Sequence, residues 1–397
     1  MKTADPEFMR AINRFHVMDA IRRFGPISRV EIAERTDLSP TTVSAITGAL
    51  LDDGLIIPRP MGTVRDATRG RPRVMLELNP DAAFVVGARL APDQITVAVT
   101  DFRADAVKTL SLPIRVDRQP VAVIADLVED GVRRCVADAG LAMSAISGVC
   151  VGLPGVVESA SGRCRQSPIF TERDVPFGDE VSARLKVPVS VDSDVNLVAL
   201  AEHWFGHGVG LDNFLVISVE HTLGLGIMHR GELFRGADGL NPDLGDFLVR
   251  LPDEDGTGMR LEAMMAAAKA EEHLTPPLRL GGGGVVAPGR GTHEERAVQL
   301  AGDALGFAIA NLITLFAPPK VILTGAGLSA SNRFLTPLRA AVLRFTPPTL
   351  SDVAHIVVRD FSDDIWTRGA AALTLRDLYG APWGSTGPAR PQRSTSP

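Results

Sequence analysis

Apolar residues recur at helical spacing in Asn13–Phe24, where Phe15, Val17, Met18 and Ile21 repeat and Gly25-Pro26 ends the run. "SRVEIAERT" follows, with Ser28 and Glu31 spaced as a capping box that satisfies orphan backbone groups at a helix start. A third run, "LSPTTVSAITGALLDDGLI", places Ser39 as N-cap and Pro40 at the first helical position. "LIIPRP" and "RPRVMLELN" then read as two strands joined by a polar loop.

Only Asp37-Leu38 separates the second and third helices, the short turn of a helix-turn-helix whose second helix enters a major groove. Val43, Ile46, Leu50 and Leu51 fall on its inner face. That leaves Thr41, Thr42, Ser44 and Thr47 outward near its N-terminal end, with hydroxyls and methyls suited to base edges. Ser28, Arg29 and Ser39, at the two helix starts, are counted with them as DNA-contacting candidates. The strand pair forms a wing, and "TRGRPR" at the end of its loop brings Arg69, Arg71 and Arg73 toward a minor groove or phosphates. A basic surface hairpin, or a winged helix that docks protein, is the alternative.

From residue 80 onward strands and helices alternate. "AFVVGARLAPDQITVAVTDF" is strand–turn–strand and "VAVIADLVEDGVRRCVADAG" an amphipathic helix. "ISGVCVGLPGVV" is a buried strand ending in a Pro-Gly turn, and "VPVSVDSDVNLVALAEHWFG" is strand then helix. "NFLVISVEHTLGLGIMHRGEL" repeats the strand–turn–strand, and a long helix feeds the strand "KVILT". A meander plus helix, then similar elements again, predicts a duplicated α/β domain with a cleft between its halves. The expected division is 1–79 for the winged helix-turn-helix and 80–380 for the body, its lobes about 80–190 and 191–380. A Pro/Ser/Gly-rich tail, 381–397, is expected to be disordered.

Composition narrows the class. A chain of 397 residues exceeds one typical core, and 45% hydrophobic with 22% charged residues is ordinary globular material. Residues 1–79 carry a net charge of +2 and the remainder −8, a mildly basic head on an acidic body. Cys135, Cys150 and Cys164 are odd in number and lack paired spacing, which fits packed thiols in a reducing cytoplasm. Met1–Arg10 has no apolar core of a secretory signal, and no apolar run reaches the roughly 20 residues of a membrane span. A cytoplasmic protein is expected.

Candidate chemistry is sparse. Asp253, Asp255, Gly256 and Glu262 match part of a calcium loop, yet Leu251 holds its first ligand position and Arg260 would repel the cation. "GAGLSA" (Gly325–Ala330) mimics a dinucleotide turn but lacks the acidic residue expected about 20 positions on. "LGGGGVVAPGRG" has no G-K-[ST] and reads as a surface loop.

Four stretches in order, "VGLPGVV", "VDSDVNLVALAEHWFG", "ELFRGADGLNPDLGDF" and "PPKVILTGAGLS", resemble the ROK family of repressors and sugar kinases. With the winged helix in front, the chain is similar to its repressor branch from about Asn13 to Leu378. The resemblance implies an actin-like, hexokinase-like duplicated ATPase fold.

It also implies tests for kinase activity. The kinases' first phosphate loop resembles D-x-G-G-T; here Arg89-Leu90-Ala91-Pro92-Asp93 stands in its place. Their second resembles G-T-G-x-G-x-G; here Glu220-His221-Thr222-Leu223-Gly224-Leu225-Gly226 would set a carboxylate against ATP phosphates. The family's catalytic aspartate corresponds to Asp194 in "DSDVN", but a base without a phosphoryl donor transfers nothing. No enzyme and no cofactor are expected, and Asp194 is left as an acceptor for a ligand hydroxyl. A kinase with atypical phosphate loops is the alternative.

Many family members hold a structural zinc through one histidine and three cysteines. The corresponding positions are Asp246, Asp253, Asp255 and Arg260, so a lost zinc site is expected. Arg260 would replace the metal by pairing with Asp253 or Asp255, and with Asp246. The family's sugar contacts correspond to Asp243, Asp246 and Glu262, joined by Gly155, Ser193 and Asp194 as cleft residues. The expectation is a dimeric or tetrameric repressor of double-stranded DNA, controlled by a sugar or polyol-like effector. A DNA-independent binding protein, or a regulator answering to a protein partner, is the rival.

Overall fold

The computed structural model describes residues 6–59, 74–250, 258–266, 291–329, 332–360 and 363–380. The N-terminal head comprises α1 (Pro6–Phe24), β1 (Ile27–Ser28), α2 (Arg29–Thr36), α3 (Pro40–Asp52), β2 (Ile56–Arg59) and β3 (Met75–Leu78). Local chemistry sets the boundaries. The Ser28 hydroxyl accepts from Glu31 N–H at 3.3 Å, and the Glu31 carboxylate accepts from Ser28 N–H at 2.9 Å, closing the capping box. Asp37 ends α2 in the left-handed region at φ 56°, and Ser39 starts α3 by accepting from Thr42 N–H at 3.1 Å. Val17, Met18, Ile21, Ile32, Val43, Leu50, Ile56 and Leu76 are buried together as the head core. The first helix begins at Pro6, upstream of the Asn13 expected from its apolar repeat.

The body is two lobes of the same plan. In the first, β4 (Phe84–Ala91), β5 (Gln94–Thr100) and β6 (Ala106–Leu112) form an antiparallel meander. After α4 (Val121–Asp138), β7 (Ile146–Leu153) pairs parallel to β4. A hairpin, β8 (Val156–Glu158) and β9 (Arg163–Gln166), and α5 (Phe177–Leu185) lead to β10 (Val189–Ser193), which pairs parallel to β7. The strand order is β10-β7-β4-β5-β6.

The second lobe follows α6 (Asp194–Phe205). Here β11 (Phe214–Val219), β12 (Leu223–His229) and β13 (Glu232–Leu233) make the meander, with a hairpin of β14 (Leu248–Arg250) and β15 (Met259–Arg260) beyond it. Then come α7 (261–266), α8 (Gly291–Phe316), β16 (Lys320–Thr324), α9 (Ala326–Ser329), α10 (Asn332–Phe345), β17 (His355–Val358) and α11 (Asp363–Leu378). Its strand order, β13-β12-β11-β16-β17, repeats the first lobe's meander plus two parallel strands.

Two helices lie between the lobes. α11 returns to pack on β4, β7 and β5, while α6 packs on β11 and β12, and the two helices cross each other. Gly369 makes that crossing possible, because a Cβ there would sit 2.0 Å from the Leu197 carbonyl oxygen. The lobe boundary expected near residue 190 falls inside β10, which completes the first sheet, and α11 belongs with that sheet although it ends the described chain. The stretch Glu295–Phe316 of α8 is long and apolar enough to cross a membrane by composition, but 56% of it is buried and α8 packs along α10. It is the core helix of the second lobe. The tail, 381–397, lies outside the described residues.

Head and body share a seam. The Arg22 side chain, 3% exposed, lies 4.1 Å over the Trp204 ring at the end of α6 and donates to the Trp204 carbonyl at 3.3 Å. Trp204 stacks on Tyr379 at 5.6 Å and 6°, and the Tyr379 hydroxyl donates to the Phe102 carbonyl at 2.6 Å. Beside it, Arg103 donates to the Leu78 carbonyl at 3.0 Å and pairs with Glu77 at 3.3 Å.

Candidate effector cleft and DNA-reading face

Near its N-terminal end α3 exposes Pro40, Thr41, Ser44 and Ala45, with Thr42 and Gly48 half-buried at the margin of that face. Ser39 is exposed, but its hydroxyl is engaged with Thr42, accepting from the amide and sharing a 2.8 Å bond with the hydroxyl. Two expected DNA contacts are corrected. Thr47 is fully buried, donating to the Val43 carbonyl at 2.8 Å and accepting from Arg29 Nε at 2.8 Å, so it ties α2 to α3. Ser28 is 3% exposed and spends its hydroxyl on Glu31. Arg29 is half-buried, with one donor committed to Thr47. Arg69, Arg71 and Arg73 lie outside the described residues.

A cavity of about 190 Å³ opens between the lobes. Gly155, Asp194, Asp243 and Glu262 all line it, brought together from the β7–β8 turn, the start of α6, the loop before β14, and α7. Two expected cleft residues do not line it. Ser193 is buried with no hydrogen-bond partner for its hydroxyl, and Asp246 is exposed in the loop before β14. Sequence reasoning missed Gln166, Ser167, Thr222 and Asn241 on the wall. Asn241 accepts from Val157 N–H at 2.6 Å and donates to the Gly155 carbonyl at 3.2 Å, bracing the glycine turn. Gly155 sits at φ 113°, where a Cβ would lie 2.2 Å from the Gln166 carbonyl oxygen, so only glycine fits.

The two stretches in place of phosphate loops meet. Arg89 on β4 and Glu220 just past β11 form an ion pair across the lobes, with side chains 12% and 9% exposed. The Arg89 guanidinium also lies 4.3 Å over the Trp366 ring of α11. Burial, with the Glu220 carboxylate adding to it against the opposing effect of Arg89, pushes Asp194 up to about 7. Burial and the nearby Asp246 carboxylate also raise Asp243. Asp192, fully buried behind the cleft, holds Asn196 at 2.8 Å and pairs with Arg235.

At the expected lost zinc site, Arg260 pairs with Asp246 at 3.0 Å and donates to its carbonyl at 3.1 Å. Both side chains are more than half exposed, so the pair is worth about 0–1 kcal/mol. Asp253 and Asp255, with most of the calcium-like loop, lie outside the described residues. Gly325 of the dinucleotide-like turn has φ 115° and packs on Val219, a structural role. Cys135, Cys150 and Cys164 are buried, and burial pushes Cys150 and Cys164 up to about 12.

Comparison with known proteins follows the same division. The profile of the ROK family matches residues 85–260, and that of winged helix-turn-helix DNA-binding domains matches residues 10–57. A crystal structure of a ROK family transcriptional regulator, a homologue of the E. coli MLC protein, superposes with a TM-score of 0.73 at 25% identity. It covers 94% of this chain and 97% of its own. The chain thus carries a ROK family domain behind a winged helix-turn-helix domain.

A putative xylose repressor of Caldicellulosiruptor sp. strain Rt8B.4 is 25% identical, covering 94% of this chain and 98% of the relative. The DNA-binding transcriptional dual regulator NagC of Escherichia coli K12 is also 25% identical, over 94% of each chain. A ROK family glucokinase from Streptomyces griseus, in complex with glucose and AMPPNP, shares the fold of the body alone. Its TM-score is 0.59 at 22% identity, covering 73% of this chain and 99% of its own. The actin-like, hexokinase-like body with a winged head in front is therefore the architecture of a ROK regulator.

Proposed function

We propose that this ROK chain is a DNA-binding transcriptional repressor whose kinase-like cleft senses a sugar or polyol-like effector. It is not an enzyme: the relatives that match nearly its whole length are a putative xylose repressor and a DNA-binding transcriptional dual regulator, and an Arg89–Glu220 pair stands where the resemblance places the phosphate loops. That pair is the observation that carries the reading. A nucleotide triphosphate entering there would meet the Glu220 carboxylate and would have to break a largely buried ion pair. Sensing needs only the cavity, and Asp194, Asp243 and Glu262 offer acceptors to ligand hydroxyls.

α6 supplies a route from effector to DNA. Asp194 in its first turn lines the cavity, and Trp204 near its last lies beneath Arg22 of the head. Twelve residues at 1.5 Å each make a rod about 18 Å long. An effector that favours one lobe arrangement then biases the placement of the head, provided its affinity for the two arrangements differs. Thr41, Ser44 and Ala45 read the groove. Two copies bind together, because one short recognition helix gives little specificity and a two-fold operator matches a two-fold protein. The protein works in the cytoplasm, beside its DNA.

The test is binding of the purified chain to the DNA upstream of its own gene, against unrelated DNA, at one fixed salt concentration. A repressor binds the upstream DNA selectively and shows no sugar-dependent ATP turnover. Equal binding to both DNAs, or phosphorylated sugar accumulating with ATP, overturns the proposal.

A further inference from the structure

The inter-lobe cavity has a one-sided charge. Three carboxylates line it, those of Asp194, Asp243 and Glu262, and no lysine, arginine or histidine does so among the described residues. The nearby guanidiniums are committed elsewhere: Arg89 to Glu220 and the Trp366 face, Arg260 to the outward Asp246. Asp194 is the decisive group. It is only 8% exposed, and its carboxylate accepts from the Val195 N–H of its own helix start at 2.8 Å. A carboxylate desolvated to that degree, with the nearby Arg89 guanidinium already paired to Glu220, is costly to ionise, and a ligand that brings a positive charge recovers part of that cost.

We propose that the cleft selects a monosaccharide-sized polyol bearing a protonated amine over its neutral analogue, and excludes the phosphorylated one. This rests on the effector reading above and names the chemical class of the effector. Size agrees, since about 190 Å³ is below the roughly 300 Å³ at which pockets for drug-sized ligands begin. An ammonium donates three hydrogen bonds, enough to engage Asp194 and Asp243 together, while Gln166 and Thr222 remain for hydroxyls. A phosphate in the same space faces three acids and, among the described residues, no cationic side chain lining the wall. Burial and like-charge repulsion hold Asp194 and Asp243 above the usual carboxylate range, and a bound ammonium would favour their ionised forms.

Isothermal titration of the full chain at pH 6.5 tests this with 2-amino-2-deoxyhexoses of gluco, galacto and manno configuration. Each is compared with its parent hexose, its N-acetyl derivative and its 6-phosphate. The free amine of at least one configuration is expected to bind about tenfold or more tighter than the other three forms. Asp243→Asn is expected to shrink that advantage to about threefold or less. A parent, N-acetyl or 6-phosphate form that binds as tightly as the amine overturns the inference while leaving the effector reading intact. Binding by none of the compounds overturns both.

Discussion

Arg89 and Glu220 show what pairing does to the meaning of single residues. Each looks like a defect in a phosphate loop when read alone; together they are one largely buried ion pair joining the lobes. Arg89→Ala leaves Glu220 buried without its partner and is expected to cost about 3–5 kcal/mol in urea unfolding. The double change Arg89→Met, Glu220→Leu removes both charges and is expected to cost far less, within about 1 kcal/mol of the parent. Equal losses in the two variants would contradict the pairing. Thr47 and Thr41 make a second contrast, six residues apart on α3. Thr47→Val strands Arg29 Nε and the seam between α2 and α3, and should cost about 1–2 kcal/mol of stability. Thr41→Ala and Ser44→Ala should leave the melting midpoint in place while each weakens operator binding about fivefold.

α6 is the element on which the account turns, and its far end carries a titration test. Burial, with Arg23 and Arg22 adding to it, lowers His203 to about 4 from the usual 6.5. Between those values the unfolded chain binds a proton that the folded chain refuses, so this residue makes stability rise with pH from 4 to 6.5. The full effect is about 3 kcal/mol. Asp194 acts oppositely: its raised value means the folded chain holds the extra proton between 3.8 and about 7, so its contribution falls as pH rises through that window. His203→Gln should therefore flatten the acid limb of the stability profile relative to the parent, and an unchanged profile would contradict the buried neutral imidazole.

Much of this element plan was legible from the chain. The capping box, the Ser39-Pro40 start and the "DSDVN" strand-to-helix junction are local signals, fixed by hydrogen bonds within a few residues. What could not be read is non-local. The outward position given to Thr47 followed helical spacing, but whether a face is covered depends on Arg29 reaching across from α2. Asp246 was placed in the cleft by its resemblance to a ligand position, whereas it lies exposed in the loop before β14, paired with Arg260. Gln166, Ser167 and Asn241 escaped notice because no spacing marks them; the Gly155 turn and the β8–β9 hairpin bring them to the wall. The return of α11 to the first sheet likewise has no local signature.

At the scale of the molecule, three bodies meet on two central helices. The lobes share α6 and α11, and the head is held to their end by Arg22, Trp204 and Tyr379 in one stack. Weakening that stack should separate sensing from DNA binding. Arg22→Ala is expected to leave ligand affinity within about twofold while reducing the ligand's effect on DNA affinity by about fivefold or more. A full effector response in that variant would mean that the signal travels elsewhere. Effector control itself requires less: that a ligand in the inter-lobe cavity change operator affinity. The most direct measurement follows the operator complex by fluorescence anisotropy at fixed salt while sugars, polyols and amino sugars are titrated in. At least one compound is expected to shift the operator Kd, and Asp194→Asn is expected to abolish the shift while still binding DNA. An operator complex indifferent to every compound, or a response that survives Asp194→Asn unchanged, would contradict it.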